Sequence, residues 1–373
     1  MNRRIPFDYW LLVVTFVLAL VGIIMVYSSS SIYAAQHFSD SAYFLRRQVI
    51  FAVIGFSALI FLLMIDYHHY YKFIYPFLIL SFVLMCAIFI PNIGYEVGGA
   101  RRWIQWGSFR MQPAEVAKYA IIFYLAYSLS KKEDKINSLF VGFLPHLFIS
   151  GLFLVLLLIQ PDFGTALSVA FMVFLMLFAA GARLSYLISA LLVLAPAVWF
   201  LIMSAPYRKK RIFAFLNPWE DPAHTGFQII QSFLAFYSGK LFGLGLGDGR
   251  QKLFYLPEAH TDFIFSVIGE ELGFVGVAVM ALLFALFLYR GVRIAFKAPD
   301  LFGTYLALGI SVLISFQAIM NIAVVMGLLP TKGLALPFIS YGGTSLICNL
   351  AGAGILLNIS AQQRQVDGKG HMQ

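Results

Sequence analysis

Asp262 opens a long apolar run, with Glu258 four residues before it and His260 between them. A carboxylate beside an imidazole at such a mouth can take a proton from a hydroxyl. Capping is the competing role, with Thr261 or Asp262 accepting from free N–H groups at a helix start. Glu270 and Glu271 lie further along the same run, which implies a helix lining something polar. Glu115 and Lys118 stand three apart at the start of another run, so they share a helix face and can pair. Asp162 follows Gln160-Pro161 in a tight link and is a ready N-cap. Arg102 and Arg110 flank Trp103 and Trp106, a composition common at membrane interfaces. Arginine also grips phosphate through two parallel hydrogen bonds.

One reaction suits an exposed carboxylate among many cations. In sugar transfer from a diphosphate donor the leaving group is a stable anion, so the acid of a glycosidase pair can be dispensed with. A single base deprotonates the acceptor hydroxyl while cations stabilise the departing charge. That chemistry requires no cofactor, and a divalent cation (Mg or Mn) at the diphosphate is the one addition it admits. His and Cys show no metal-binding spacing and no Gly-rich phosphate loop occurs, which argues against ATP.

The elements that must hold these residues follow from composition. The chain has 373 residues, 61% hydrophobic and 12% charged, too apolar for a water-soluble domain. Lipid is the alternative solvent, and it admits helices. Apolar runs fall at about 9–27, 48–65, 74–91, 115–129, 143–159, 164–181, 184–203, 263–289, 303–327 and 341–360, giving an all-α polytopic protein of ten spans. The first run follows Met1-Asn2-Arg3-Arg4 and resembles a signal peptide, but the helix count works only with it retained. Cys86 and Cys348 lie inside apolar runs and read as small hydrophobes. One connection is long, from about 205 to 261.

Basic residues orient the spans. Both termini share a side with an even count, and that side holds twelve of the 26 Lys and Arg. Seven of the other fourteen sit in the long connection, which the positive-inside rule discounts. The termini and a tail at about 361–373 are therefore expected in the cytoplasm, and 205–261 outside. The surplus of cations outside suits an anionic ligand, or lipid headgroups for the run 208–211. Nucleic acid is a poor partner there. The polar segments 99–110, 112–118, 160–165, 256–265 and 336–343 all fall on that outer side.

These segments together resemble the SEDS family (shape, elongation, division and sporulation) of bacterial cell-wall glycosyltransferases. The likeness runs through almost the whole chain, from Tyr27-Ser28-Ser29-Ser30 to the last helix. Asn217-Pro218-Trp219-Glu220-Asp221-Pro222, Gly226-Phe227-Gln228 and Gln251-Lys252-Leu253 look like the family's large outer loop. The string Phe236-Tyr237-Ser238-Gly239-Lys240 departs from its usual pattern. Tyr255-Leu256-Pro257-Glu258-Ala259-His260-Thr261-Asp262 and Leu329-Pro330-Thr331-Lys332-Gly333-Leu334 are most like the cell-division branch, with the rod-elongation branch next.

The resemblance implies polymerisation of lipid II, an undecaprenyl-diphosphate disaccharide-pentapeptide, at the division septum. It matches Asp262 to the catalytic aspartate, and Arg102, Arg110, Glu115 and Lys118 to positions tied to activity. Gln112, Asp162, Glu258, His260, Lys332 and Ser340 complete the candidate substrate-binding set. Implied partners are a class B penicillin-binding protein and other divisome membrane proteins. A lipid II flippase and a non-enzymatic divisome scaffold are the rival readings. Alternating access places its site near the midplane between repeats, and a scaffold would tolerate replacement of Asp262 and Lys118.

Overall fold

The computed structural model describes residues 7–97, 99–107, 109–204, 206–249, 257, 259–331 and 333–370. Among the described residues, ten apolar helices appear in the expected order. They are α1 (Tyr9–Phe38), α2 (Tyr43–Met64), α3 (Ile74–Ala87), α4 (Pro113–Lys131), α5 (Leu144–Ile159), α6 (Phe163–Ala179) and α7 (Leu184–Met203), followed after the long connection by α10 (Ile264–Phe296), α11 (Leu301–Val325) and α12 (Gly343–Gly370). Two helices form within the connection itself, α8 (Pro206–Leu216) and α9 (Phe227–Gly239). By length and composition α1, α2, α10, α11, Leu139–Ile159 and Gly343–Gln363 can each cross a membrane; α3, α6 and Leu184–Phe200 are apolar but shorter.

Helix α4 stands apart because nearly every residue from Pro113 to Leu129 is buried. Packed against α3, α6, α11 and α12, it has no need of a lipid-facing apolar surface and can carry Glu115 and Lys118. At the N-terminal end, Asp8 caps α1 by accepting from Leu11 N at 3.0 Å. Arg290 of α10 grips the same carboxylate with Nε and Nη2, and Asp8 N donates to Ser360 Oγ of α12 at 3.0 Å. Three helices are thereby tied at one end.

Two departures from the sequence reading bear on the site. Helix α1 continues through its serines to Phe38 because those hydroxyls are spent locally: Ser30 Oγ donates to Val26 O at 2.6 Å. Ser28 Oγ instead reaches Glu271, 2.7 and 2.6 Å from its two carboxylate oxygens. The polar segment around 99–110, for which the sequence pattern gives no strand, folds with 94–97 into an antiparallel sheet, β1 (Gly94–Val97), β2 (Ala100–Trp106) and β3 (Phe109–Met111). Its tight turns use Gly99 and Gly107, both at positive φ.

Helix α10 is broken at Gly273, whose φ of 67° and ψ of −165° leave the helical region. The break strands four backbone groups, and the chain from Lys240 to Gly245 takes all four. Phe274 N and Val275 N donate to the carbonyls of Lys240 (2.9 Å) and Leu241 (3.1 Å). Leu244 N and Gly245 N donate to the carbonyls of Glu270 (3.0 Å) and Glu271 (3.1 Å). Unpaired backbone groups are costly in lipid, so this exchange holds the break open. Glu270 and Glu271 are buried at that joint. The N-terminal part of α10, which Asp262 leads into, is thus a short segment anchored at its far end.

Candidate active site

Alternation along β2 separates two neighbouring arginines. Arg101 turns outward to pair with Glu96 of β1 at 3.2 Å. Arg102 turns inward, where Nε donates to Gln160 O at 3.2 Å and Nη2 to Pro161 O. Those carbonyls end α5, so the guanidinium is held by the turn between α5 and α6. Gln160 is itself pinned by donation from Nε2 to Met85 O at 3.1 Å.

Asp262 faces that guanidinium. A methyl group placed on Gly333 would sit 3.4 Å from Asp262 Oδ2 and 3.6 Å from Arg102 Nη1, so carboxylate and cation look across the same glycine. The N-cap of α10 is Phe263, with no side-chain cap. Backbone ties fix Asp262 from behind. Asn321 Nδ2 of α11 donates to Asp262 O at 2.8 Å and to Leu334 O at 2.6 Å, joining the Asp262 turn to the 333–340 segment. Ser340 Oγ donates to Thr261 O at 2.6 Å and accepts from Leu336 N at 2.8 Å. Gly22 of α1 makes room for that segment, since a Cβ there would meet Phe338 O at 2.5 Å.

The remaining candidates surround this centre. Asp162 caps α6 through Oδ1, accepting from Thr165 N at 3.2 Å, while Oδ2 accepts from Gln112 Nε2 at 3.4 Å. Both the capping and the site reading of Asp162 therefore fit one geometry. Gln112 N donates to Thr344 Oγ1 at 3.2 Å. Glu115 and Lys118 pair at 2.8 Å one turn into α4, with side chains only 9% and 1% exposed. His260 lies among Tyr33, Phe44 and Tyr341, with ring centroids 5.8, 4.7 and 6.0 Å away. Arg110 is exposed, donating through Nε to Gln105 Oε1 at 3.1 Å and lying over the Tyr95 ring. Glu258 and Lys332 fall outside the described residues.

All five polar segments of the sequence thus meet at one end of the helix bundle. Asn321, inside an apolar run, is a residue the sequence does not single out; Gln160 falls in the polar segment 160–165 without being among the candidate site residues. In the long connection the Asn217–Pro222 motif makes a closed turn. Asp221 accepts from Thr225 N at 3.1 Å and from its hydroxyl at 2.9 Å, with His224 at 2.9 Å. Those bonds, the Thr225 backbone first, hold its carboxyl below the usual range.

A carboxylate opposed to a guanidinium at the end of a multi-pass helical bundle defines a membrane protein with a polar site on one face. The chain belongs to the cell cycle protein family of FtsW, RodA and SpoVE, whose model matches residues 9–365. It is 50% identical over 358 residues to a probable peptidoglycan glycosyltransferase FtsW of Geobacter metallireducens, covering 96% of each chain. To the stage V sporulation protein E of Bacillus subtilis it is 45% identical over 357 residues, covering 96% of this chain and 98% of that one. Among solved structures it superposes on a chain of a peptidoglycan synthase complex described as coordinating polymerisation and crosslinking. That match has a TM-score of 0.79 at 30% identity, covering 96% and 99% of the two chains. The rod shape determining protein RodA of Thermus thermophilus matches with a TM-score of 0.71 at 27% identity, covering 97% and 99%.

Proposed function

We infer that this chain is a peptidoglycan glycosyltransferase that polymerises lipid II into glycan strands during division, with Asp262 as the general base. The observation that carries the assignment of the base is the opposition of Asp262 and Arg102 across Gly333. The acceptor hydroxyl gives its proton to Asp262 while its oxygen forms a bond to the donor's anomeric carbon. The bond from that carbon to the diphosphate oxygen breaks, and the lipid diphosphate leaves with the electron pair. Arg102, fixed by two carbonyls, is placed to meet that charge, with Lys332 and Arg110 as further cations of the set. Gln112, Asp162 and Ser340 tie the surrounding segments together, His260 lies two residues before the base, and Glu115, Lys118 and Glu258 complete the substrate-binding set.

No group of three or more His, Cys, Asp or Glu side chains gathers to hold a metal among the described residues. A divalent cation would therefore be held chiefly by the diphosphate's own oxygens. We place the site on the outer face of the cytoplasmic membrane at the septum, with both termini inside. The proposed partner is a class B penicillin-binding protein, among other divisome membrane proteins. Its support is the likeness to a chain of a complex that both polymerises and crosslinks.

The test is polymerisation of purified lipid II by the reconstituted chain, with and without a class B partner and with transpeptidation blocked. Glycan strands should appear in at least one arm, and their absence from both rejects the reading. The orientation has its own check. A cysteine at Ser130, at the end of α4, should react with an impermeant thiol reagent only from the cytoplasmic side. One at Ser238, in α9, should react only from outside. Labelling of the Ser130 position from outside reverses the topology.

A further inference from the structure

The basic run 208–211 has no part in the chemistry proposed above, and the fold gives it a setting of its own. Asp162 opens α6 at the end of the bundle that carries the site, so α6 runs away from that end and α7 returns to it. Helix α8 begins three residues after α7 stops, and it therefore starts at the level where a spanning helix leaves the membrane.

The two sides of α8 differ. Lys209, Phe213 and Leu216 stand four and then three residues apart, so they share one face, with Lys210 at its edge. All four are exposed, and neither lysine has a hydrogen-bonding or acidic partner among the described residues. Arg211 and Ala214, three apart on the opposite side, belong to the protein instead. Ala214 is buried, and Arg211 Nη1 donates to Thr331 O at 3.4 Å. Trp219, just past the helix, is exposed as well.

Neither water nor a protein neighbour accounts for the outward face. A solvated helix surface has no need of Phe213 and Leu216, and an apolar partner would strip two unpaired ammonium groups of water. A bilayer surface suits both kinds of residue at once. Phenylalanine and leucine enter the acyl boundary, while the lysine stems lie along it and lift their charges to the phosphate level. Tryptophan favours the same depth. Two lysines with no carboxylate to balance them select a leaflet of net negative charge.

We propose that the outward face of α8, formed by Lys209, Lys210, Phe213 and Leu216, docks on anionic phospholipid and holds the start of the long connection on the membrane surface. The bond from Arg211 to the chain two residues before Gly333 sets the docked helix against the segment that borders Asp262.

The test places a bimane on the full chain at Asn217→Cys, an exposed position just beyond α8, using an impermeant thiol reagent. The native Cys86 and Cys348 lie inside α3 and α12. The labelled chain sits in phosphatidylcholine nanodiscs doped with equal small amounts of doxyl-labelled phosphatidylglycerol or doxyl-labelled phosphatidylcholine. The anionic quencher should act more strongly, by about fivefold for each lysine engaged. Lys209→Gln with Lys210→Gln should bring the two quenchers level, and Lys209→Arg with Lys210→Arg should keep the preference. Arg211→Gln should leave it in place, which separates this face from bulk positive charge. Equal quenching by the two lipids in the parent overturns the proposal, as does quenching by neither. So does a preference that survives the loss of both lysines, or one that falls as far with Arg211→Gln. The readout does not involve polymerisation, so it stands or falls apart from the polymerase reading.

Discussion

Asp262→Asn is expected to lower lipid II polymerisation by about 10²- to 10⁴-fold, the usual contribution of a positioned general base. The substitution keeps the side chain's shape and one oxygen but removes its basicity. Its backbone carbonyl still accepts from Asn321, so the turn into α10 should hold. The N-cap of that helix is Phe263, without a side-chain cap, and loss through weakened capping is therefore not the expected route. Lipid II binding and partner binding should survive, which separates chemistry from assembly. Rates are measured with purified lipid II and blocked transpeptidation, alongside the thermal midpoint. Parental turnover by the Asp262→Asn chain sinks the assignment.

The helices were legible in the sequence because lipid leaves the backbone one economical way to satisfy its own N–H and C=O groups. Ten apolar runs correspond to ten helices, and their order alone puts the polar segments at one end. What escaped was set by contacts between distant residues. The first apolar run ends near Tyr27, yet α1 continues to Phe38, its serines donating to Val26 O and to Glu271. Glu271 lies 243 residues along the chain from Ser28, beyond any local signal. The opposite fates of Arg101 and Arg102 depend on strands only a few residues long, whose periodicity is too short to register. Likewise, Gly273 reads as an ordinary membrane-helix glycine until the chain from Lys240 to Gly245 supplies the hydrogen bonds that its break removes. Residue type singles out Asp262 and Arg102, which the fold brings to either side of Gly333. Asn321 gives no such signal, because a single amide in an apolar run carries no pattern.

Lys118→Met should destabilise the protein by about 3–5 kcal/mol, the cost of leaving a buried charge without its partner. Lys118 Nζ and Glu115 Oε2 stand 2.8 Å apart, too poorly angled for a good hydrogen bond, and neither atom has another hydrogen-bond partner among the described residues. Each is therefore the other's compensation inside α4, and one carboxylate alone in that packing is the unstable arrangement. Replacing both residues with apolar side chains of similar size, Glu115→Leu with Lys118→Met, should recover most of the loss. The thermal midpoint in detergent reads this part. Polymerisation by the double variant then separates two roles for the pair. An ion pair that only stabilises α4 predicts that activity returns with stability. A pair that serves the site predicts a folded protein with polymerisation still depressed at least tenfold. We expect the second outcome, because the pair begins one turn beyond Gln112, which bonds Asp162 and Thr344 at the site's edge. Parental polymerisation by the double variant would reduce Glu115 and Lys118 to scaffolding.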